Sequence, residues 1–251
     1  MLIKIGGSTL GSEDTTPQDL AWLQSQGHQP IVVHGGGKVI TQWLERMKVP
    51  TRFVNGLRVT DEQSIDVVVA VLAGVVNKQL VAQINAAGGK AVGLAGVDGG
   101  LLQAKVKDAA LGLVGEITKV NAAPLESLLK AGYIPVIAPI GVMEGKGATL
   151  LNINADTVAG EIGAAVKAST FVFLTDVPGV RDGSGKVASR LTPAQVRELI
   201  ASNVIRDGMV PKVEACLAAL KHVPSTVILD GRQPHALRAL VEGKAVGTRV
   251  E

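Results

Sequence analysis

One stretch constrains this chain more than any other. The apolar run Ile31-Val32-Val33 passes through His34 into Gly35-Gly36-Gly37-Lys38, then into the helix-like Val39-Ile40-Thr41-Gln42-Trp43-Leu44-Glu45-Arg46. A buried strand, a glycine turn and a helix in immediate succession form the opening of a βα unit. Glycines lack Cβ, so their backbone N–H groups can come close to an anion. The helix that follows adds free N–H groups and the positive end of its dipole. The first strand repeats the arrangement: Leu2-Ile3-Lys4-Ile5 runs into Gly6-Gly7-Ser8 with a lysine just ahead of the glycines. Side by side at the ends of neighbouring strands, the two turns would make a place to hold phosphate or carboxylate. The plainer reading is a pair of tight strand-to-helix turns.

Strand and helix patterns alternate along almost the whole chain. That predicts an α/β fold, a mostly parallel open sheet covered by helices on both faces. Thr16-Pro17-Gln18-Asp19 predicts a capped helix start, with threonine as cap and an acid three residues on. Asn55-Gly56 predicts a hairpin, and Thr60-Asp61-Glu62-Gln63 a capping box. Residues 101–106 and 115–120 predict a β-excursion, and 134–140 another buried strand. Thr192-Pro193-Ala194-Gln195 starts a further helix, and Gly208-Met209-Val210-Pro211-Lys212 opens the one after it. No tandem repeat or long linker divides the chain. It reads as one domain with two lobes, about 1–167 and 168–251, sharing one sheet.

Composition narrows the function. The 251 residues are 47% hydrophobic, enough for a large core. Aromatics are only 2%, which argues against a base-stacking nucleic-acid binder. Net charge is +3 and the isoelectric point about 9.0. That excess, without a basic block, suits small anionic substrates rather than nucleic acid or a membrane. The single Cys216 lies in an apolar helical pattern and reads as a buried, inert thiol. No signal peptide or uninterrupted spanning run is evident. A reducing cytoplasm is the expected location.

The candidate chemistry rests on lysines. Lys4 precedes Gly6-Gly7, and Lys212 lies in the first turn of a helix after Gly208. An ammonium is well matched to phosphate oxygens, and phosphoryl transfer asks a protein mainly for positive charge and alignment. Asn152, Asn154 and Asp156 alternate and would share one face of an extended run. An acid there could hold lysines in place; helix capping by Asn154 or Asp156 is the alternative, and both can hold. Arg58 follows the Asn-Gly turn with a fork suited to a carboxylate, or is a surface arginine. Asp176, before Pro178-Gly179, sits at a strand end where open α/β sheets bind ligands. His34 could be a general base but reads better as shaping the glycine loop.

Other chemistries lack their signatures. There is no P-loop run G-x-x-x-x-G-K-[ST] and no G-x-G-x-x-G after the first strand. No G-x-S-x-G elbow is present, and four scattered histidines with one cysteine build no zinc site.

These motifs, in this order, resemble the acetylglutamate kinase branch of the amino acid kinase family. The likeness is carried by Lys4-Ile5-Gly6-Gly7, His34-Gly35-Gly36-Gly37, Asn55-Gly56-Leu57-Arg58-Val59-Thr60, Asn152-Ile153-Asn154-Ala155-Asp156, Thr175-Asp176-Val177-Pro178-Gly179 and Gly208-Met209-Val210-Pro211-Lys212. It covers essentially the whole chain. The resemblance implies an open αβα sandwich, with the amino-acid substrate on the N-terminal lobe and ATP on the C-terminal lobe. It implies that Lys4 and Lys212 stabilise the transferring phosphoryl group and that Asp156 orients both. Gly36 and Gly37 would hold substrate and γ-phosphate, and Arg58 and Asn152 the amino-acid substrate. Gly6, Gly7, Thr175, Asp176, Val177, Pro178, Gly179 and Val180 would line the nucleotide site. Mg²⁺ would bridge the ATP phosphates without a dedicated protein cage. Arginine-inhibited members carry an extra N-terminal helix, whereas strand-like Leu2–Ile5 starts this sequence. The expectation is therefore a homodimer insensitive to arginine.

The implied reaction is ATP-dependent phosphorylation of the side-chain carboxylate of N-acetyl-L-glutamate in arginine biosynthesis. The rival enzyme would phosphorylate a blocked α-aminoadipate on the lysine route. A non-catalytic amino-acid-binding regulatory protein of the same fold would be expected to lack Lys4, Lys212 or Asp156, and all three are present.

Overall fold

The computed structural model describes residues 1–6, 14–54, 56–145, 147–206 and 209–251. The expectations that fall on Gly7, Asn55 and Gly208 lie outside the described residues. The chain opens with strand β1 (Leu2–Ile5), helix α1 (Thr16–Ser25), strand β2 (Ile31–His34) and helix α2 (Gly37–Arg46). A hairpin of β3 (Phe53–Val54) and β4 (Leu57–Arg58) follows. Next is one long helix in three parts: α3 (Glu62–Val69), a π-helical stretch (Ala70–Val76) and α4 (Asn77–Ala86). Then come β5 (Ala91–Ala95), β6 (Leu102–Val106), β7 (Val114–Val120), α5 (Ala123–Lys130), β8 (Ile134–Ala138), β9 (Ile140–Met143), β10 (Leu150–Ile153) and α6 (Ala155–Ala165). The remainder supplies β11 (Phe171–Thr175), β12 (Arg190–Leu191), α7 (Pro193–Ala201), α8 (Met209–Ala219), β13 (Thr226–Asp230), α9 (Ala236–Val241) and β14 (Thr248–Val250).

Eight strands form one sheet in the order β12-β14-β13-β11-β1-β2-β8-β5, and every adjacent pair but β13–β14 is parallel. Strand side chains alternate between faces. Ile3, Ile5, Val32, Val172, Leu174, Val227 and Leu229 form one core with Leu20 and Leu23 of α1, Leu80 and Ile84 of α4, and Leu237 of α9. Leu2, Val33, Ile137, Phe171, Phe173 and Ile228 form another with Leu125 of α5, Val158 and Ile162 of α6, and Val213 and Cys216 of α8. This is the expected αβα sandwich. Few rings are needed: the stacked pair Phe171–Phe173, with centroids 4.1 Å apart, sits among aliphatic neighbours.

The excursion is larger than the two strands expected. β6, β7, β9 and β10 close into a four-stranded barrel beside the sheet. The run 134–140, expected as one strand, divides at Pro139. Proline has no N–H for the ladder, so β8 ends at Ala138 in the main sheet and Ile140 pairs with Asn152 in the barrel.

Two caps sit one or more residues from their expected places. Thr16 is already helical, and Asp14 accepts its N–H at 2.8 Å. Asp19 does not turn back on its own helix; it is 2% exposed and accepts from the Leu237 and Arg238 N–H groups at the start of α9. The second box is built by Asp61 with Ser64, one residue after Thr60. The box of Thr192 and Gln195 on α7 is as expected.

Residues Glu62–Ala86 form a helix long and apolar enough to cross a bilayer by length and composition alone. Val68, Val71, Leu72, Leu80 and Ile84 are buried against the sheet and the glycine turn, and 44% of the most apolar window is buried within the chain.

Candidate functional site

The site lies where the parallel strands end. Backbone bonds step across these ends: Gly6 N–H donates to Leu174, Gly35 N–H to Ile5, and Gly231 N–H to Thr175. The two glycine turns are thus neighbours, because β1 and β2 pair in register from Leu2–Ile31 to Ile5–His34. Gly36 precedes α2, whose first residue is Gly37. A side chain at Gly36 would have to displace Leu72, since a Cβ there would lie 2.7 Å from Leu72 Cδ2.

The surroundings of His34 favour the loop-shaping reading over a general base. Its ring is fully buried, with Nδ1 2.9 Å from the Gly35 carbonyl and Nε2 3.2 Å from Asn77 Nδ2. Burial chiefly, then the nearby Lys78 charge, pushes its pKa down from 6.5 to about 4 against the opposing Gly35 bond. The ring is neutral at physiological pH and shapes the loop, as expected.

Lys4 and Asp156 meet. Lys4 points from β1 towards the start of α6, and its Nζ is 2.9 Å from Asp156 Oδ1. Asn154 caps α6, accepting from the Asp156 and Thr157 N–H groups at 2.9 and 3.0 Å. The extended run stops at Ile153, so Asn154 and Asp156 do not share a strand face with Asn152. Asp156 instead occupies the first helical turn, where the dipole favours a carboxylate. Asp176 Oδ1 lies 3.9 Å from Lys212 Nζ.

Arg58 is 8% exposed, and burial lowers its pKa from the ordinary guanidinium value. It donates to the Gly37 carbonyl at 2.9 Å and the Thr41 hydroxyl at 2.7 Å, and lies 4.7 Å over the Phe53 ring. Asn152 donates through Nδ2 to Thr60 Oγ1 at 3.0 Å. Gly35, Gly36, Gly37, Arg58, Asn152 and Asn154 are among the residues lining one cavity of about 180 Å³. That is below the usual ~300–1,000 Å³ of drug-sized ligand pockets, so it fits a small acceptor.

Thr175, Asp176, Val177, Pro178, Gly179 and Val180 follow one another off the end of β11. Thr175 donates to Asp176 Oδ1 at 3.2 Å. Gly179 has φ 140°, a backbone conformation other residues rarely adopt, and a Cβ there would meet Thr248 Oγ1 at 2.6 Å. The Val180 N–H donates to the same hydroxyl at 2.8 Å, and Thr248 donates to the Ala188 carbonyl at 2.6 Å. One fully buried threonine therefore pins this loop.

Asn77 and Thr248 were given no role from the sequence, and Thr60 was read only as a helix cap and as part of the Asn55–Thr60 motif. Each is a lone polar residue whose partner is 17 to 92 positions away, a distance local pattern cannot read. The pair of Asp230 with Arg232 was also missed. Its two contacts of 2.9 Å sit at the end of β13, beside Thr175 in register, and hold the Asp230 carboxyl below its usual range. Among the described residues, no group of three or more His, Cys, Asp or Glu side chains is placed to hold a metal ion.

The profile of the amino acid kinase family matches residues 1–230. The chain is 46% identical to the acetylglutamate kinase of Prochlorococcus marinus (strain MIT 9303) over 260 residues, spanning all of this chain and 83% of that one. Against the acetylglutamate kinase of Dehalococcoides mccartyi (strain CBDB1) it is 41% identical, spanning all of this chain and 93% of that one. A crystal structure of a Streptococcus mutans protein superposes with a TM-score of 0.82 at 30% identity, covering 99% of this chain and 97% of the other.

Proposed function

We infer that this chain, which belongs to the amino acid kinase family, is an acetylglutamate kinase. It transfers the γ-phosphoryl group of ATP to the side-chain carboxylate of N-acetyl-L-glutamate, a step of arginine biosynthesis. The observation that carries this reading is the small cavity walled by the glycine turn, Arg58 and Asn152, with the Lys4–Asp156 pair at the neighbouring strand end.

The substrate carboxylate attacks the γ-phosphorus, a new oxygen–phosphorus bond forms, and the bond to the bridging oxygen of ADP breaks. A carboxylate is ionised at neutral pH, so no general base is needed. That agrees with a neutral, buried His34. Charge moves onto the transferring oxygens, which Lys4 and Lys212 offset while Asp156 fixes Lys4. Gly36 and Gly37 offer backbone N–H groups to the same oxygens. Arg58 takes the α-carboxylate of the amino acid. Asn152 spends its N–H on Thr60, which leaves its carbonyl oxygen for the acetamido N–H. The nucleotide lies along Gly6, Gly7 and residues 175–180.

Mg²⁺ would travel with ATP. The carboxylates of Asp156, Asp176 and Asp230 each already face a cationic side chain, which suits an ion held mainly by phosphate oxygens. A homodimer built on the helix Glu62–Ala86 accords with the burial of only 44% of its most apolar window within one chain. A cytoplasmic location accords with a single buried thiol.

The test is an ATP-dependent hydroxamate assay on N-acetylglutamate, glutamate and a blocked α-aminoadipate. Acetylglutamate should turn over fastest; a preference for the aminoadipate derivative would move the enzyme to the lysine route.

A further inference from the structure

Asn77 is a fully buried amide at the first position of α4. Its orientation is forced from both ends. Nδ2 lies 2.9 Å from the Val136 carbonyl and 3.4 Å from the Leu94 carbonyl, which only accept. Oδ1 lies 3.1 Å from the Lys78 ammonium, which only donates. The amide therefore cannot be reversed; of its two protons one goes to Val136, and the other is nearer to His34 Nε2 at 3.2 Å than to the Leu94 carbonyl at 3.4 Å, so Nδ2 meets the ring as a donor. Nε2 must then be the bare nitrogen of the ring. The single ring proton is left on Nδ1, which is 2.9 Å from the Gly35 carbonyl, an obligate acceptor.

The consequence reaches the next peptide. In a trans peptide the C=O and the following N–H point opposite ways, and the described residues contain no cis bond. Holding the Gly35 oxygen against the buried ring turns the Gly36 N–H away from it. Among the described residues that N–H has no hydrogen-bond partner, and Gly36 lines the cavity. Three consecutive glycines would otherwise leave this peptide free to rotate.

We propose that Asn77 and His34 are positioning residues for phosphoryl transfer: Asn77 selects the Nδ1–H form of His34, and His34 locks the Gly35–Gly36 peptide so that the Gly36 N–H is presented to the transferring group. This rests on the role given to Gly36 above. The π-helical stretch explains how one helix supplies both supports. Its bonds span five residues, so Leu72, which buttresses Gly36, and Asn77, five positions on, lie near one face. In a regular α-helix that spacing would turn them well apart. A Cβ at Gly93 would overlap Asn77 Oδ1, so the neighbouring strand also leaves room for the amide. Burial that keeps the ring neutral accords with a fixed tautomer.

The experiment has two readouts on the full chain. NMR of isotope-labelled histidine rings gives the tautomer without substrate, with His34 assigned by its loss in His34→Asn. The wild type should carry the proton on Nδ1. In Asn77→Asp the carboxylate can only accept, so the proton should move to Nε2 or the ring become doubly protonated. There kcat should fall about 10- to 100-fold, with KM for both substrates within about threefold. The second readout compares two His34 variants. An asparagine amide N–H reaches the Nδ1 position, whereas glutamine reaches that of Nε2. His34→Asn should therefore retain more kcat than His34→Gln, while mere volume filling ranks the larger glutamine first. A wild-type proton on Nε2, or His34→Gln at least as fast as His34→Asn, overturns the proposal, even if Asn77→Asp fails to fold. Wild-type turnover of acetylglutamate tests the proposed function by itself, so the two failures are distinguishable.

Discussion

At the scale of single residues, the cations divide by what surrounds them. Lys4 is held at 2.9 Å by Asp156 on a central strand, whereas Lys105 pairs with Glu116 with more than half of each side chain exposed. An exposed pair of the second kind contributes little; the first is the more shielded of the two. Lys4→Ala and Lys212→Ala should each lower kcat ~10²–10³-fold while changing KM for acetylglutamate far less. Steady-state kinetics on both substrates checks this, and wild-type turnover in either variant would remove that lysine from the reaction. His34 carries a second residue-scale consequence. Its folded pKa of about 4 lies below the free value of 6.5, so the unfolded chain binds the proton first as pH falls. The stability tied to the neutral ring is complete above pH 6.5 and is lost as pH drops towards 4, by up to about 3 kcal/mol. The unfolding free energy from urea titrations should fall across that window in the wild type and fall less in His34→Leu. Lys4 and Asp156 were legible because each stands beside a glycine turn or a helix start. Asn77 was not, because an amide in an apolar helix gives no local sign that its partners lie 17 to 59 residues away.

Elements were legible where a local rule sufficed. The box of Thr192 and Gln195 and the β3–β4 hairpin both follow from residues within a few positions of one another. The barrel was not, since it needs β6 to pair with both β7 and β9, and β10 with β7, across separations no periodicity records. The loop 175–180 belongs to the same class. Its sequence announced a ligand-binding turn, but the support comes from β14, where Thr248 accepts the Val180 N–H and donates to Ala188. Thr248→Val keeps the shape and removes both bonds, leaving a buried N–H without its partner, a loss of about 1–3 kcal/mol. KM for ATP should rise about tenfold, with KM for acetylglutamate within about twofold. An unchanged KM for ATP would mean that residues 175–180 do not bear on the nucleotide.

Across the whole molecule, the cores ignore the two-lobe division expected near residue 167. β1 from the first lobe pairs along its full length with β11 from the second, Leu2 with Phe171 through Ile5 with Leu174. Both large cores mix the lobes: Ile3, Ile5 and Val32 pack with Val172, Leu174 and Leu229 on one face, and Leu2 and Val33 with Phe171 and Phe173 on the other. α9 is tied to α1 through Asp19 across more than 200 residues of sequence. Cutting the chain at 167 would expose β11 as a bare edge strand, with unpaired backbone groups and an uncovered apolar face. Neither part would keep a complete core. Unfolding should therefore be a single cooperative transition, although a chain of 251 residues exceeds the ~150 below which such behaviour is the rule. Scanning calorimetry should give one peak that shifts upward as a whole with either ATP or acetylglutamate, because a ligand of the native state stabilises everything that unfolds with it. Fragments 1–167 and 168–251 expressed apart should fail to fold. Two resolved peaks, one moved only by ATP and the other only by acetylglutamate, would show that the shared sheet does not couple the lobes.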